Sequence, residues 1–364
     1  MHEILSCAPR ATQRPLVSVI LSTYNEARCI ENCLGSILGQ ETTGTVSGDF
    51  DLEVLAIDGM SIDGTREILE RCAAREPRLR VLRNQRRYTP FAFNLGLRHA
   101  RGEYVCIFGA HTVYRSDYIA MCLSELLAHE AAACGGRVIT TPSGSTLSAR
   151  LTAWAMSHPF GSSRKSFRTQ KEGAVDTVNY PLFRRDVVLA VGGYDEELLR
   201  NQDNDLNQKL RARGHVLWCT WKTQCQYFPK GTVSGLFQYA FRTGHWNAVS
   251  HRKNPDAMST RHFVPLAFVL CLALFCLIAV AAALLLPASY VGPAALPLAG
   301  LLGVYLILGT GAALHVALRE RSPGALCLPL VFLGFHLAYG YGTLCGFARS
   351  YRKVQLPRQQ PQRG

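Results

Sequence analysis

Leu16-Val17-Ser18-Val19-Ile20-Leu21-Ser22 runs straight into Thr23-Tyr24-Asn25-Glu26, and this junction of an apolar, β-branched run with a polar cluster decides the fold. A short run without alternation fits a strand buried on both faces. The pattern returns twice. Residues 52–57 lead into Asp58-Gly59-Met60-Ser61-Ile62-Asp63-Gly64-Thr65, and residues 104–108 lead into Gly109-Ala110-His111. Between them, residues 27–39, 64–74 and 90–100 carry helical patterns. Strand, helix, strand, helix, strand in that order predicts a mostly parallel sheet with right-handed crossovers. Ligands of such sheets bind at the carboxyl ends of the strands, which is where the polar clusters fall.

Composition bounds the rest. A chain of 364 residues with 48% hydrophobic content has room for one large domain or two ordinary ones and is not globally disordered. The formal charge of +13 points to an anionic partner, whether nucleic acid, lipid headgroup or phosphorylated substrate. Its basic residues are dispersed and many flank apolar spans, which argues against nucleic acid. None of the thirteen cysteines forms a CxxC pair, and most sit inside apolar stretches, so they read as reduced core residues on the cytosolic side of a membrane. Up to Arg14 the chain is polar and shows nothing like a secretory signal, so the catalytic part is expected in the cytoplasm.

From residue 263 the composition changes. Residues 263–286 hold no charge over about 24 positions, enough for a helix of roughly 36 Å that crosses a bilayer. A second span is expected at 291–318, after a turn at 287–293, and a third at 325–347. The third is interrupted by Gly334, His336, Gly340, Gly342 and Gly346. Positive charge flanks the spans at Arg252, Lys253 and Arg261, at Arg319 and Arg321, and at Arg349, Arg352, Lys353 and Arg358. Three crossings from a cytosolic start would place that last cluster outside, against the positive-inside rule. The Gly-rich segment is therefore expected to be re-entrant or to lie along the interface, giving two to three spans.

Downstream of Gly192-Gly193 lies Leu199-Arg200-Asn201-Gln202-Asp203-Asn204-Asp205, at the start of another helical pattern. Carboxylates there serve as helix caps or as a general base, and spacing alone does not choose. Asp63 on its own reads as a cap for the following helix. Asp58, at a strand's carboxyl end, can accept the ring N–H of a uracil, and Glu26 on the neighbouring strand can reach the same pocket.

Taken in order, Tyr24-Asn25-Glu26, Asp58-Gly59, Asn94-Leu95-Gly96, Ala100-Arg101-Gly102-Glu103-Tyr104 and Asn201-Gln202-Asp203 with Leu206 and Gly214 resemble a family 2 inverting glycosyltransferase of GT-A fold. Val175-Asp176-Thr177-Val178 and Val191-Gly192-Gly193-Tyr194-Asp195 make the chain similar to exopolysaccharide transferases of the succinoglycan type. The resemblance covers about residues 15–250. It implies a tail at 1–15, a GT-A domain at 16–250, a juxtamembrane linker at 251–262, a transmembrane region at 263–348 and a basic tail at 349–364. It also implies that Thr23, Glu26, Asp58 and Asn94 bind the donor and that Asp203 takes the acceptor's proton. Gln202 would bond a hydroxyl where family members often carry Glu, and Asp205 would be structural.

The implied partners are a UDP-sugar donor, a lipid-linked saccharide acceptor, the cytoplasmic (inner) membrane and exopolysaccharide assembly proteins, without nucleic acid. The implied cofactor is a divalent metal, Mn2+ or Mg2+, with His111 as ligand. Neutral imidazole suits Mn2+ better than Mg2+. The succinoglycan-type pattern at that place is Asp-Ala-His, so His111 matches and Gly109 does not. The other reading of His111 is a hydrogen-bonded strand-end residue.

Two stretches keep two readings each. The basic run 163–171 grips a lipid diphosphate or is a solvated loop. Residues 238–246 loosely resemble the Gln-x-x-Arg-Trp element of processive transferases, with Arg242 or His245 offsetting charge on the leaving diphosphate, or else form an amphipathic interface helix. The expected activity is transfer of a single hexose to a polyprenyl-diphosphate-linked saccharide. The alternatives are a polyprenyl-phosphate sugar transferase and a catalytically silent nucleotide-sugar-binding scaffold.

Overall fold

The computed structural model describes residues 14–229 and 231–348; the expected basic tail and most of the N-terminal tail lie outside them. Among the described residues there are nine strands: β1 Leu16–Thr23, β2 Asp51–Asp58, β3 Leu79–Arg83, β4 Tyr104–Gly109, β5 Thr112–Tyr114, β6 Ala133–Thr140, β7 Gly173–Ala174, β8 Leu182–Arg184 and β9 Leu217–Tyr227. The α-helices are α1 Ile30–Leu38, α2 Thr65–Ala73, α3 Thr89–His99, α4 Tyr118–Ala128, α5 Leu147–Ser157, α6 Pro159–Ser162, α7 Arg185–Ala190, α8 Gln202–Ala212, α9 Val233–Lys253, α10 Val264–Leu285, α11 Ala288–Arg319 and α12 Leu328–Ala348.

The sheet runs β3-β2-β1-β4-β8-β6-β9-β5, with β7 also on β9. β3, β2, β1 and β4 are parallel, whereas β8 is antiparallel to β4 and β6 and β5 is antiparallel to β9. β1 shows why these strands lack alternation. Val17, Val19 and Leu21 enter one core and Ile20 the other, each fully buried and contributing about 1.5–3 kcal/mol. Of the two polar side chains buried in the strand, Ser18 and Thr23, Ser18 donates to Glu53 at 2.6 Å, and Arg101 Nε holds the other Glu53 oxygen at 2.9 Å.

The register brings the strand ends level. Thr23 lies beside Asp58 and Ser22 beside Gly109. The chain leaves β1 toward β2 on one side and returns to β4 on the other, so the crevice beyond these ends is a topological switch point.

The C-terminal region departs from expectation in three ways. α9 runs unbroken to Lys253, so the boundary placed at residue 250 falls inside a helix. Pro293 is not in a turn. It and Pro297 lie inside α11, and the chain reverses at Leu286–Pro287. Proline is tolerated there because neighbouring groups in an apolar medium re-satisfy the freed carbonyls. The glycines of α12 are sites of close approach rather than weakness. A Cβ on Gly342 would stand 2.1 Å from Phe241 O and one on Gly346 2.5 Å from His245 O, both on α9. α10, α11 and the segment 323–348 are each long and apolar enough to cross a membrane. A third of the last is buried against protein, almost none of the first two.

Candidate active site

The loops after β1 and β2 are laced together. Asn25, at φ 55°, receives a hydrogen bond from Ile62 N on its Oδ1 at 3.0 Å and donates its own N–H to Ser61 Oγ at 2.9 Å. Asp63 accepts from Thr65 N and Ala27 N, both at 3.1 Å, so the expected capping residue also braces the neighbouring loop.

Several residues expected to bind the donor have structural partners. Asp58 is fully buried, with both carboxylate oxygens 3.2 Å from Ser61 N. Thr23 Oγ1 donates to Ile57 O at 3.3 Å. Asn94 spends its amide on the turn after α7: Nδ2 donates to Tyr194 O at 2.8 Å and Tyr194 N donates to Oδ1 at 2.9 Å. Asn94 therefore reaches the site through Tyr194. Glu26 bonds to His111 and Cys29. Its Oε1 lies 3.3 Å from His111 Nδ1, and its Oε2 accepts from Cys29 Sγ at 3.1 Å. Burial and Glu26 push the Cys29 thiol up to about 12, so it stays a proton donor.

Where an acidic residue was expected, Gly109 faces a tyrosine. A Cβ there would stand 3.0 Å from Tyr180 Cε1. Tyr180, at φ 51°, is held by Tyr118 Oη, which donates to its carbonyl at 3.0 Å. Among the described residues no group of three or more His, Cys, Asp or Glu side chains can hold an ion. Glu26 and His111 supply one carboxylate and one half-exposed imidazole facing each other, a two-ligand set that fits Mn2+ when the other ligands are substrate oxygens and water.

Asp203 stands at the centre. Asn201 begins α8 in the left-handed region, at φ 61°, and its Nδ2 donates to Asn247 Oδ1 of α9 at 2.8 Å, fixing the turn that presents Asp203. Asp203 lines two cavities. The first, of about 120 Å³, lies against the sheet with Gly109, Tyr180, Tyr194 and Gln202. The second, of about 370 Å³, runs toward the apolar helices with Arg168, Tyr239, Asn247, Arg261 and Tyr339. Burial pushes the Asp203 carboxyl above its ordinary range, opposed by the hydrogen bond from Asn204 N and by Arg168 and Arg200. Gln202 Oε1 is buried without a hydrogen-bond partner. Asp205 turns away, bonded to Lys209 at 2.7 Å and Asn254 at 2.8 Å.

Arg242 and His245 do not line either cavity. α9 presents Tyr239, Thr243 and Asn247 instead, one turn apart on one face. The cations packed on the nearby rings are others. Arg200 lies over Tyr239 at 5.4 Å, and Arg168 lies over Tyr227 at 5.3 Å. The basic run 163–171 thus divides, with Arg164 and Lys165 exposed and Arg168 turned inward.

A mixed sheet with a switch-point crevice and a carboxylate facing it from a helix start defines a GT-A fold. Residues 18–192 match Glycosyl transferase family 2. Over 327 residues the chain is 28% identical to the succinoglycan biosynthesis protein ExoA of Rhizobium meliloti (strain 1021), covering 89% of this chain and 92% of that one. Over 340 residues it is 22% identical to a dolichyl N-acetyl-alpha-D-glucosaminyl phosphate 3-beta-D-2,3-diacetamido-2,3-dideoxy-beta-D-glucuronosyltransferase of Methanococcus voltae, covering 92% and 97%. Mannosyltransferase PcManGT from Pyrobaculum calidifontis, solved with GDP-Man and Mn2+, shares the fold at a TM-score of 0.56 and 22% identity over 93% of this chain and 90% of that one. This chain carries a family 2 glycosyltransferase domain and is a glycosyltransferase.

Proposed function

We propose that the enzyme transfers a hexose from a UDP-sugar, with inversion, to a hydroxyl of a polyprenyl-diphosphate-linked saccharide at the cytoplasmic face of the inner membrane. The carrying observation is the position of Asp203, which belongs to both the sheet-side cavity and the cavity running to the apolar helices. Donor sugar occupies the first and acceptor the second. Asp203 removes the acceptor's hydroxyl proton as that oxygen bonds to the anomeric carbon, and the bond from that carbon to the diphosphate oxygen breaks. UDP leaves on the opposite face, without a covalent intermediate.

Gln202, with its free buried oxygen, orients a sugar hydroxyl. Glu26 and His111 would hold a divalent ion, which would supply positive charge to offset that of the departing diphosphate. Asp58, Thr23 and Asn94 keep the nucleoside end of the crevice in shape. The ExoA likeness supports a place in exopolysaccharide or cell-surface glycan synthesis, among the proteins that assemble it. The M. voltae relative's name supports a lipid-linked acceptor.

The test is a screen of labelled UDP-hexoses on membranes containing the protein. Label entering the lipid-extractable fraction supports the reading. Label entering only free sugar or soluble oligosaccharide contradicts it.

A further inference from the structure

The second cavity has a charge its expected sugar does not require. Two guanidinium groups face it, those of Arg168 and Arg261, against the single carboxylate of Asp203. Their counterparts are sparse: Arg168 packs over the rings of Phe167 and Tyr227, and Arg261 has only a long ion pair. Arg168 makes no ion pair within 4.0 Å among the described residues, and its Nε is buried without a hydrogen-bond partner. Arg261 Nη1 is likewise buried without a hydrogen-bond partner and makes a long ion pair with Asp176 at 3.8 Å. Burial pushes the Arg261 guanidinium below its ordinary range, the mark of a cation held in a poorly solvated place. Buried guanidinium donors without hydrogen-bond acceptors are costly, so a site that keeps two of them is suited to a ligand that brings negative charge.

Part of the same lining is apolar. Val264 and Pro265 of α10 and Phe335 of α12 belong to it, and Val264, where the first apolar helix begins, is 63% exposed. Cations and apolar helix residues in one lining suit an amphiphile whose anionic head enters the protein and whose chain lies along α10.

We infer that Arg168 and Arg261 bind the diphosphate of a polyprenyl-diphosphate-linked acceptor, placing its saccharide toward Asp203. This rests on the lipid-linked acceptor proposed above and assigns its anchor. The leaving nucleoside diphosphate is the other source of the same phosphate chemistry, and the experiment separates the two.

The full chain is reconstituted in phosphatidylcholine nanodiscs with or without undecaprenyl diphosphate, and binding of that lipid and of UDP is measured separately. Wild type is compared with Arg168→Gln, Arg261→Gln and the exposed-loop variant Arg164→Gln. Each cavity variant is expected to weaken undecaprenyl diphosphate binding at least about tenfold, the cost of a lost charge-assisted bond, with UDP binding retained. Retained UDP binding also shows that the variants fold. Arg164→Gln is expected to bind as wild type does.

Unchanged lipid binding in both cavity variants, or an equal loss in Arg164→Gln, overturns the inference. Loss of UDP binding in variants that keep the wild-type melting profile overturns it in favour of the leaving group. If a cavity variant loses both UDP binding and that profile, Arg168→Lys and Arg261→Lys decide, and lipid binding in them weaker than about twofold below wild type is required. Wild type that binds UDP but no undecaprenyl diphosphate overturns the lipid-linked acceptor itself.

Discussion

A Cβ atom on Gly109 would stand 3.0 Å from Cε1 of Tyr180, so the tyrosine ring fills the space an acidic side chain would need at the end of β4. Tyr180 is poorly placed to yield, because its left-handed backbone is tied to Tyr118 Oη. Gly109→Ala is expected to destabilise the enzyme by about 1–3 kcal/mol through overpacking, and Gly109→Asp by at least as much. Thermal melts in detergent check this. A stability equal to or above wild type for Gly109→Asp would show that the ring gives way.

The same substitution pattern throws weight on Glu26 and His111. Chelation is expected to stop transfer, and Mn2+ to restore it better than Mg2+. Glu26→Gln and His111→Ala should each raise the metal concentration for half-maximal rate by roughly tenfold or more. Full activity after exhaustive chelation removes the metal from the account.

Asp203 is predicted to cost stability. Its carboxyl is raised in the folded state, mainly by burial, so the folded protein holds that proton more tightly than the unfolded chain. Stability from this group is complete below the unfolded carboxylate value and is lost as pH rises through the raised folded value. Asp203→Asn should therefore melt higher than wild type at neutral pH, with the difference shrinking as pH falls toward the ordinary aspartate range. A difference independent of pH would contradict the direction of the shift.

α9 and α12 touch at backbone level, with Gly342 against Phe241 O. Gly342→Ala must part the helices, and because α9 carries Asn247, which holds Asn201, transfer should fall along with stability. Gly300→Ala, where nothing stands within 4 Å, is the comparison and should change neither. Equal behaviour of the two would mean the α9–α12 contact is not what holds the site.

Much of the fold was legible because β1, β2 and β4 are buried on both faces and read as unbroken apolar runs. β3 was not, since Arg80 and Arg83 interrupt an edge strand. β6 was not, since Gly135 and Gly136 stand where Val178 and Tyr118 leave no room for a side chain. In the site, Asp203 and Asp205 were separable by helix geometry, and the structure sends them to opposite sides of α8. Arg242 misled because a residue's rotation on α9 depends on how α12 seats that helix, which no local pattern encodes. Arg168 carried a signal in its basic run, but which of those cations turns inward follows from the rings of Phe167 and Tyr227 beneath it.

The assignment of Asp203 as the base between donor and acceptor is tested most directly by the transfer rate of Asp203→Asn measured beside its affinity for UDP. The rate is predicted to fall by roughly 10²-fold or more while UDP binding is retained. Undiminished turnover in that variant would contradict the account and favour an acceptor, such as a phosphate, that needs no base.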